Sequence, residues 1–323
     1  MRNKGYTIFE LLVVIALSLI VGAAFYTFYN TVIKENISKS TIAKQEQDSF
    51  ILANEVVKDL STIGFGVDAD RLIIKDGTAC DLDGTNNRFL TYCSSQKQLA
   101  YLSLAGSEDQ YAGCWGFIDR TGKLNTYIVN DNNTIPLSYS YLNKQCPPNA
   151  GKYIRLNTSK KLLENAFTYD PNNPDPSKRN SYAFYIGKNT YPNDPKIIPS
   201  DFKVIYSLDD KNLPRECAPG TYNLQKTIGT SSLPSPVISC VLDFQVKYVK
   251  TDNTVSTSIT NLNELSAIKL CMIVQVGGRQ SVPDNPHNYS QAGGCDQFNY
   301  SNNDWRYYRW AVIEQVIPLM NIR

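Results

Sequence analysis

The stretch GYTIFELLVVIALSLIVGAAFYTFYNTVI, from Gly5 to Ile33, governs how the rest of the chain is read. Its last 23 residues, Leu11 to Ile33, carry no formal charge, and about 20 apolar residues suffice to cross a bilayer as a helix. Arg2 and Lys4 stand just before it. The positive-inside rule therefore keeps residues 1–5 in the cytoplasm and sends the chain beyond the apolar run outward. Glu10, behind Ile8 and Phe9 at the edge of the apolar run, does not fit a plain anchor. A lone acidic side chain costs about 2.5–3.5 kcal/mol at the centre of a bilayer helix and less near its end. Two simple readings, a secretory signal cleaved after Val21-Gly22-Ala23 and a plain anchor, leave Glu10 without a role.

The remaining composition agrees with export. Eight cysteines, Cys80, Cys93, Cys114, Cys146, Cys217, Cys240, Cys271 and Cys295, all lie beyond residue 79. An even number confined to the part beyond the apolar run points to an oxidising compartment and to disulfides. No CxxC pair occurs and His287 is the only histidine, which argues against a zinc site of the usual Cys and His spacing. With 32 basic and 30 acidic side chains in 323 residues, the charge balance makes no case for a nucleic-acid surface. The length allows one large domain or two small ones.

Proline is absent until Pro136, so a long N-terminal helix is permitted. After the apolar run, Phe50, Ala53, Val57, Leu60 and Gly64 recur at three- and four-residue spacing, one stripe on a polar helix. Gly64-Phe65-Gly66 supplies its stop. A helix over residues 6–62 would be about 85 Å long at about 1.5 Å per residue. Gly22 within it reads as a small packing residue. Beyond Gly66, short β-branched or aromatic runs predict strands at 71–75, 89–93, 98–104, 127–129, 182–186 and 202–208, with exposed loops at 170–180 and 191–199. Three stronger strands are expected at 237–249, 267–276 and 305–317. In the second, Ile268, Leu270, Met272, Val274 and Val276 fall on one wholly apolar face, as a central antiparallel strand requires. The fold expected is α+β, with the N-terminal helix packed on an antiparallel sheet.

The run Gly5-Tyr6-Thr7-Ile8-Phe9-Glu10-Leu11-Leu12-Val13-Val14 resembles the type IV prepilin signature, in which a short basic leader ends in glycine and a glutamate stands fifth in the mature chain. Tyrosine replaces the commoner phenylalanine at the mature start. EVVKDLSTIGFG, SAIKLCMIVQVGGR and the terminal WRYYRWAVIEQVIPLMNIR further resemble PilW-type minor pilins and, more distantly, J-type minor pseudopilins of type II secretion. Met320-Asn321 stands where such chains commonly carry an Arg-Asn pair.

The resemblance implies a leader at 1–5, a transmembrane and filament-core helix at 6–34, an amphipathic continuation at 35–64 and a β-rich head at 65–323. It implies cleavage after Gly5 by a prepilin peptidase, N-methylation of Tyr6, and a register role for Glu10, whose carboxylate would pair with the new ammonium of a neighbouring subunit. Cleavage removes two of the 32 basic residues, leaving 30 against 30 acidic. The implied partners are other minor pilins, the major pilin, the prepilin peptidase, the inner-membrane assembly platform and a tip adhesin. The implied location is the inner membrane as a single-pass precursor with the head outside the cytoplasm, then the pilus at or near its tip. The implied work is non-enzymatic priming of pilus assembly. The alternatives are a secretion pseudopilin, or a tip pilin binding DNA or a surface.

Other residue patterns read as structural. His287 lies in a turn-rich loop, and no GxSxG, P-loop or GxGxxG motif occurs, so neither catalysis nor a cofactor is expected. Asp81 and Asp83 start a run of alternating oxygen ligands that could hold calcium, but its glycine comes too early and no glutamate closes it. A polar turn is the expectation there. Trp305, Tyr307, Tyr308 and Trp310 could stack on bases or sugars; period-two alternation instead puts Tyr308 and Trp310 together in sheet packing. Disulfides are expected between sequence neighbours, 80 with 93, 114 with 146, 217 with 240 and 271 with 295, among the 105 pairings eight cysteines allow.

Overall fold

A computed structural model describes residues 8–67, 90–105, 114–125, 127–130, 133–136, 151–157, 162–187, 203–229, 233–259 and 262–319. Gly5, Tyr6, Cys80, Cys146, Asp81, Asp83, the expected strand at 71–75, the expected loop at 191–199 and the side chain of Glu10 lie outside the described residues. Helix α1 (Ile8–Leu60) opens the chain, and the chain divides at Asp48 into two units.

The first unit holds α1 up to Asp48. Its apolar run is helical throughout, including Gly22, where an added Cβ would meet nothing within 4 Å. Within this unit the expected packing role of Gly22 therefore has no partner.

The second unit begins with the last turns of α1. Ala53, Val56 and Leu60 are buried there and Val57 is half-buried, so the stripe is broader than the expected one by Val56. Each buried aliphatic side chain of this size stabilises by about 1.5–3 kcal/mol. Beyond Leu60 the helix unwinds through a turn in which the Ser61 and Thr62 hydroxyls donate back to the carbonyls of Lys58 and Asp59. Gly64 and Gly66 take φ of +76° and +70°, conformations that glycine adopts without Cβ strain. The turn is then tied to the sheet, Gly64 N donating to Leu102 O and Leu104 N to Phe65 O.

In chain order the strands are β1 (Leu90–Cys93), β2 (Gln98–Leu102), β3 (Trp115–Ile118), β4 (Leu124–Asn125), β5 (Tyr127–Asn130), β6 (Asn133–Pro136) and β7 (Gly151–Asn157). They continue with β8 (Leu162–Tyr169), β9 (Ser181–Gly187), β10 (Lys203–Asp209), β11 (Tyr222–Ile228), β12 (Ser235–Lys250), β13 (Val255–Ser256), β14 (Leu265–Val276) and β15 (Arg309–Pro318). The main sheet runs β1-β2-β10-β11-β12-β14-β15, with β13 beside β12, and every pairing in it is antiparallel. A second antiparallel sheet runs β4-β3-β9-β7-β8, and β5 pairs with β6. The fold is thus mixed α+β, an apolar N-terminal helix with antiparallel sheets.

Strand β14 carries the core. Ile268, Leu270, Met272 and Val274 enter one cluster with Phe244, Val246, Tyr101 and the buried residues at the end of α1. Cys271 and Ile273 enter another, with Ala218, Tyr289 and Trp310. Both faces are therefore covered, where the alternating pattern marks one face as wholly apolar and leaves Lys269 and Gln275 on the other. Lys269 is accommodated by Glu314 at 2.8 Å and Gln275 by the backbone of Glu216, Gly277 and Ala218. The last strand starts later than the pattern suggests: Asn302 caps a 3-10 turn over Asn303–Tyr307 by accepting from Asp304 N, and pairing with β14 begins at Arg309.

Candidate functional site

Among the described residues, the apolar part of α1 is left uncovered. Leu11–Asn30 has a mean hydropathy of 2.5 and no side chain buried within the chain. Leu12, Val13, Val14 and Ile15, four consecutive residues that sample every side of the helix, are 42–61% exposed, so no polar face exists there to meet water. A helix apolar all round is one that lipid or other apolar helices must cover. Its 20 residues span about 30 Å, the thickness of a bilayer's hydrocarbon core. The Thr27 hydroxyl donates to the carbonyls of Ala23 and Ala24 at 3.1 and 2.9 Å, which satisfies it without water. This helix has the length and composition of a single-pass anchor or signal sequence.

The second unit holds two polar clusters that the sequence did not reveal. At the end of α1, Asp59 accepts from Tyr206 Oη at 2.6 Å and pairs with Lys226, while its carbonyl accepts from Tyr101 Oη at 3.3 Å. This clamp ties the helix's last turn to β2, β10 and β11. Burial first, then the Asp59 carboxylate, pushes the phenol of Tyr101 well above its usual range. For Tyr206 the order is burial, the neighbouring Tyr101 and then Asp59.

The other cluster lines a cleft of about 500 Å³ between the β1–β2 turn, β12 and the segment around Asp296. Its floor is Asp243, buried to 2% side-chain exposure, which pairs with Lys97 and accepts from Gln245 Nε2 at 2.6 Å and Tyr289 Oη at 3.0 Å. Lys247, also buried, meets Asp296 at 2.5 Å. Burial and then the Asp243 carboxylate drive the phenols of Tyr92, Tyr289 and Tyr300 upward, so all three stay protonated near neutral pH. Every charge in the cleft has a partner of opposite sign.

His287 is exposed, and its carbonyl accepts from Tyr300 Oη at 2.6 Å. Among the described residues no group of three His, Cys, Asp or Glu could hold a metal ion. Disulfides join Cys217 to Cys240 and Cys271 to Cys295, as expected for sequence neighbours. Cys93 and Cys114 are also disulfide-bonded; the pairings expected for them involve Cys80 and Cys146, outside the described residues. Cys240 sits at φ +58° where the β11–β12 register shifts, so the bridge falls at a bulge. The C-terminal aromatics pack as the alternation suggests, Tyr308 against Trp310 at 6.3 Å. Their indoles are spent on the fold: Trp305 Nε1 donates to Pro219 O and Trp310 Nε1 to Trp305 O.

No family model, curated protein or solved structure matches this chain.

The sites therefore rest on their own chemistry. In the cleft every charge is paired within the chain, whereas the apolar residues of α1 at Leu11–Asn30 are covered by nothing among the described residues.

Proposed function

We propose that this chain is a type IV minor pilin, whose apolar helix first anchors it in the inner membrane and then packs among the helices of other subunits. The observation that carries the reading is the helix at Leu11–Asn30, exposed on every side and preceded by Gly5-Tyr6 and Glu10 at the spacing of a prepilin leader. Lipid covers such a surface before assembly, and neighbouring helices cover it afterwards. Cleavage after Gly5 creates an ammonium on Tyr6. Glu10 of one subunit then has a counter-charge on the next, and helices packed out of register leave both charges bare in an apolar setting. The exported unit, an antiparallel β head closed on the end of α1, is the part that meets other minor pilins, the major pilin or a tip adhesin. Its work is to prime assembly and sit at or near the tip, without catalysis.

The mature N-terminus tests this directly. Intact-mass and peptide analysis of the protein from membranes should give N-methylated Tyr6. Ala24 as first residue would identify a secretory signal, and retained Met1 a plain anchor; either refutes the proposal. Gene deletion should also lower the number of surface pili seen by electron microscopy.

A further inference from the structure

The cleft beside Asp243, about 500 Å³ in volume, falls within the range of small-ligand sites, about 300–1,000 Å³. Strand β12 supplies its floor, where Asp243, Val246 and Lys247 are only 0–5% exposed. Residues of the β1–β2 turn and of the segment 296–299 form its walls. Two ion pairs are sunk into it, Lys97 with Asp243 and Lys247 with Asp296. Desolvating ions is costly, and apolar side chains of the same volume commonly serve a fold as well or better. Packing alone therefore does not call for so polar a floor.

The mouth is polar in a different way. Ser94, Thr257, Gln297 and Asn299 stand around it, all exposed. Among the described residues the side chains of Ser94, Thr257 and Asn299 have no hydrogen-bond partner. Gln297 donates its Nε2 to Tyr289 O and keeps its Oε1 open. Asp296 meets Lys247 through Oδ2, which leaves Oδ1, and the ammonium of Lys97 has three donors, one of which goes to Asp243. The two lysines and two aspartates of the lining cancel, so neither an anion nor a cation is favoured as a class.

We propose that this cleft binds an uncharged saccharide, free or at the end of a glycan chain. Every sugar hydroxyl both donates and accepts, and the hydroxyls, amides and half-used ion pairs here offer both roles side by side. The half-buried rings of Tyr92 and Phe298 supply apolar wall for the C–H face of a sugar ring. An extended peptide finds no strand to pair with, because the main chain of β12 at the floor is buried. A lipid tail finds only Tyr92, Val246 and Phe298 as apolar lining. This inference goes beyond the pilin reading and does not depend on it, since the cleft lies wholly within the second unit.

The test uses the full-length chain in detergent micelles whose headgroups carry no sugar. Saturation-transfer NMR is recorded with glucose, galactose, mannose, N-acetylglucosamine and lactose, and with glucuronate and galacturonate as charged counterparts. The expected result is transfer to a neutral sugar that exceeds transfer to either uronate. Thr257→Ala combined with Asn299→Ala, which breaks no bond among the described residues, should weaken that sugar at least about fivefold with the thermal unfolding midpoint unchanged. Val282→Ala, at an exposed site outside the cleft, should leave binding as it is. If the double variant fails to fold, amide exchange decides: the bound sugar should slow exchange at 94–97 and 296–299 of the unaltered chain. Retention on beads displaying the same sugar separates a glycan end from a free sugar, and binding in either arm supports the proposal. No transfer to any neutral sugar, equal or stronger transfer to the uronates, binding undiminished in the folded double variant, or unchanged exchange at both segments would each overturn it.

Discussion

Replacing Asp59 by alanine probes the junction that closes the head on α1. Three contributions set the size of the effect. Tyr206 is fully buried and its hydroxyl loses an acceptor at 2.6 Å, an unsatisfied group that costs about 1–3 kcal/mol. Lys226 loses its counter-charge; both side chains are about a fifth to a quarter exposed, so screening limits that term to about 0.2–1 kcal/mol. In the opposite direction, removing an acid from the last turn of a helix relieves about 0.3–1 kcal/mol of unfavourable dipole interaction. The net loss expected is about 2 kcal/mol. All three tryptophans, Trp115, Trp305 and Trp310, lie in the second unit, so urea unfolding of the full chain in detergent micelles, monitored by fluorescence, reports on it. A double-mutant cycle isolates the orphaned hydroxyl: on a Tyr206→Phe background, Asp59→Ala should cost about 1–2 kcal/mol less. Asp59→Asn, which keeps an acceptor for Tyr206 but no charge for Lys226, should fall between wild type and alanine. A coupling energy below about 0.3 kcal/mol would refute the clamp.

Two further outcomes rest on the same kind of packing. Tyr101 and Tyr206 ionise well above 10.0 in the folded chain because they are buried, Tyr101 beside the Asp59 carboxylate and Tyr206 beside Tyr101 and then Asp59; the unfolded phenols release their protons near 10.0. The stability held by the neutral phenols is therefore intact below about pH 10 and declines as pH rises beyond it. Unfolding midpoints should be flat from about pH 7 to 9 and fall above about 10, and ionisation of these two phenols at about pH 10 in a still-folded head would contradict this. Gly122 has φ +85°, and a Cβ there would lie 2.7 Å from Pro176 N with the Asp175 backbone closer still. Gly122→Ala should cost at least about 2 kcal/mol through the combined strain and clash. A loss below about 0.5 kcal/mol would show that the Asp119 turn and the Asp175 segment move apart without penalty.

How far the sequence reveals these features depends on the range over which the physics acts. The apolar helix, its glycine stop and the alternating core face of β14 are all local patterns, and the structure places each within a few residues of where the pattern puts it. Of the second sheet, only β9 was legible, as the expected strand at 182–186. Strand β7 of that sheet, GKYIRLN, buries the adjacent Tyr153 and Ile154 while Lys152 and Arg155 remain partly exposed, so neither alternation nor a continuous apolar run appears. Strand β11, YNLQKTI, is polar because Lys226 reaches Asp59 and Gln225 reaches Asp209. Those partners lie 167 and 16 residues away, and no local pattern carries that information. The aromatic run at 305–308 misled for a different reason. Its composition favours a strand, but Asn302 caps a turn there and delays pairing to Arg309.

Two surfaces left open among the described residues differ in what they can specify. The helix at Leu11–Asn30 offers apolar area without direction, so lipid and any apolar helix of suitable length can cover it. On the pilin reading proposed above, Glu10 would give that association a register, because a one-residue slip changes apolar packing far less than it changes the distance between two opposite charges in a low-dielectric setting. The edge of β15, which pairs with β14 alone among the described residues, is the reverse. It offers little area, and in strand pairing a one-residue slip turns every side chain to the opposite face. On the pilin reading proposed above, membrane retention resides in the helix alone, so disrupting β15 should leave membrane retention intact.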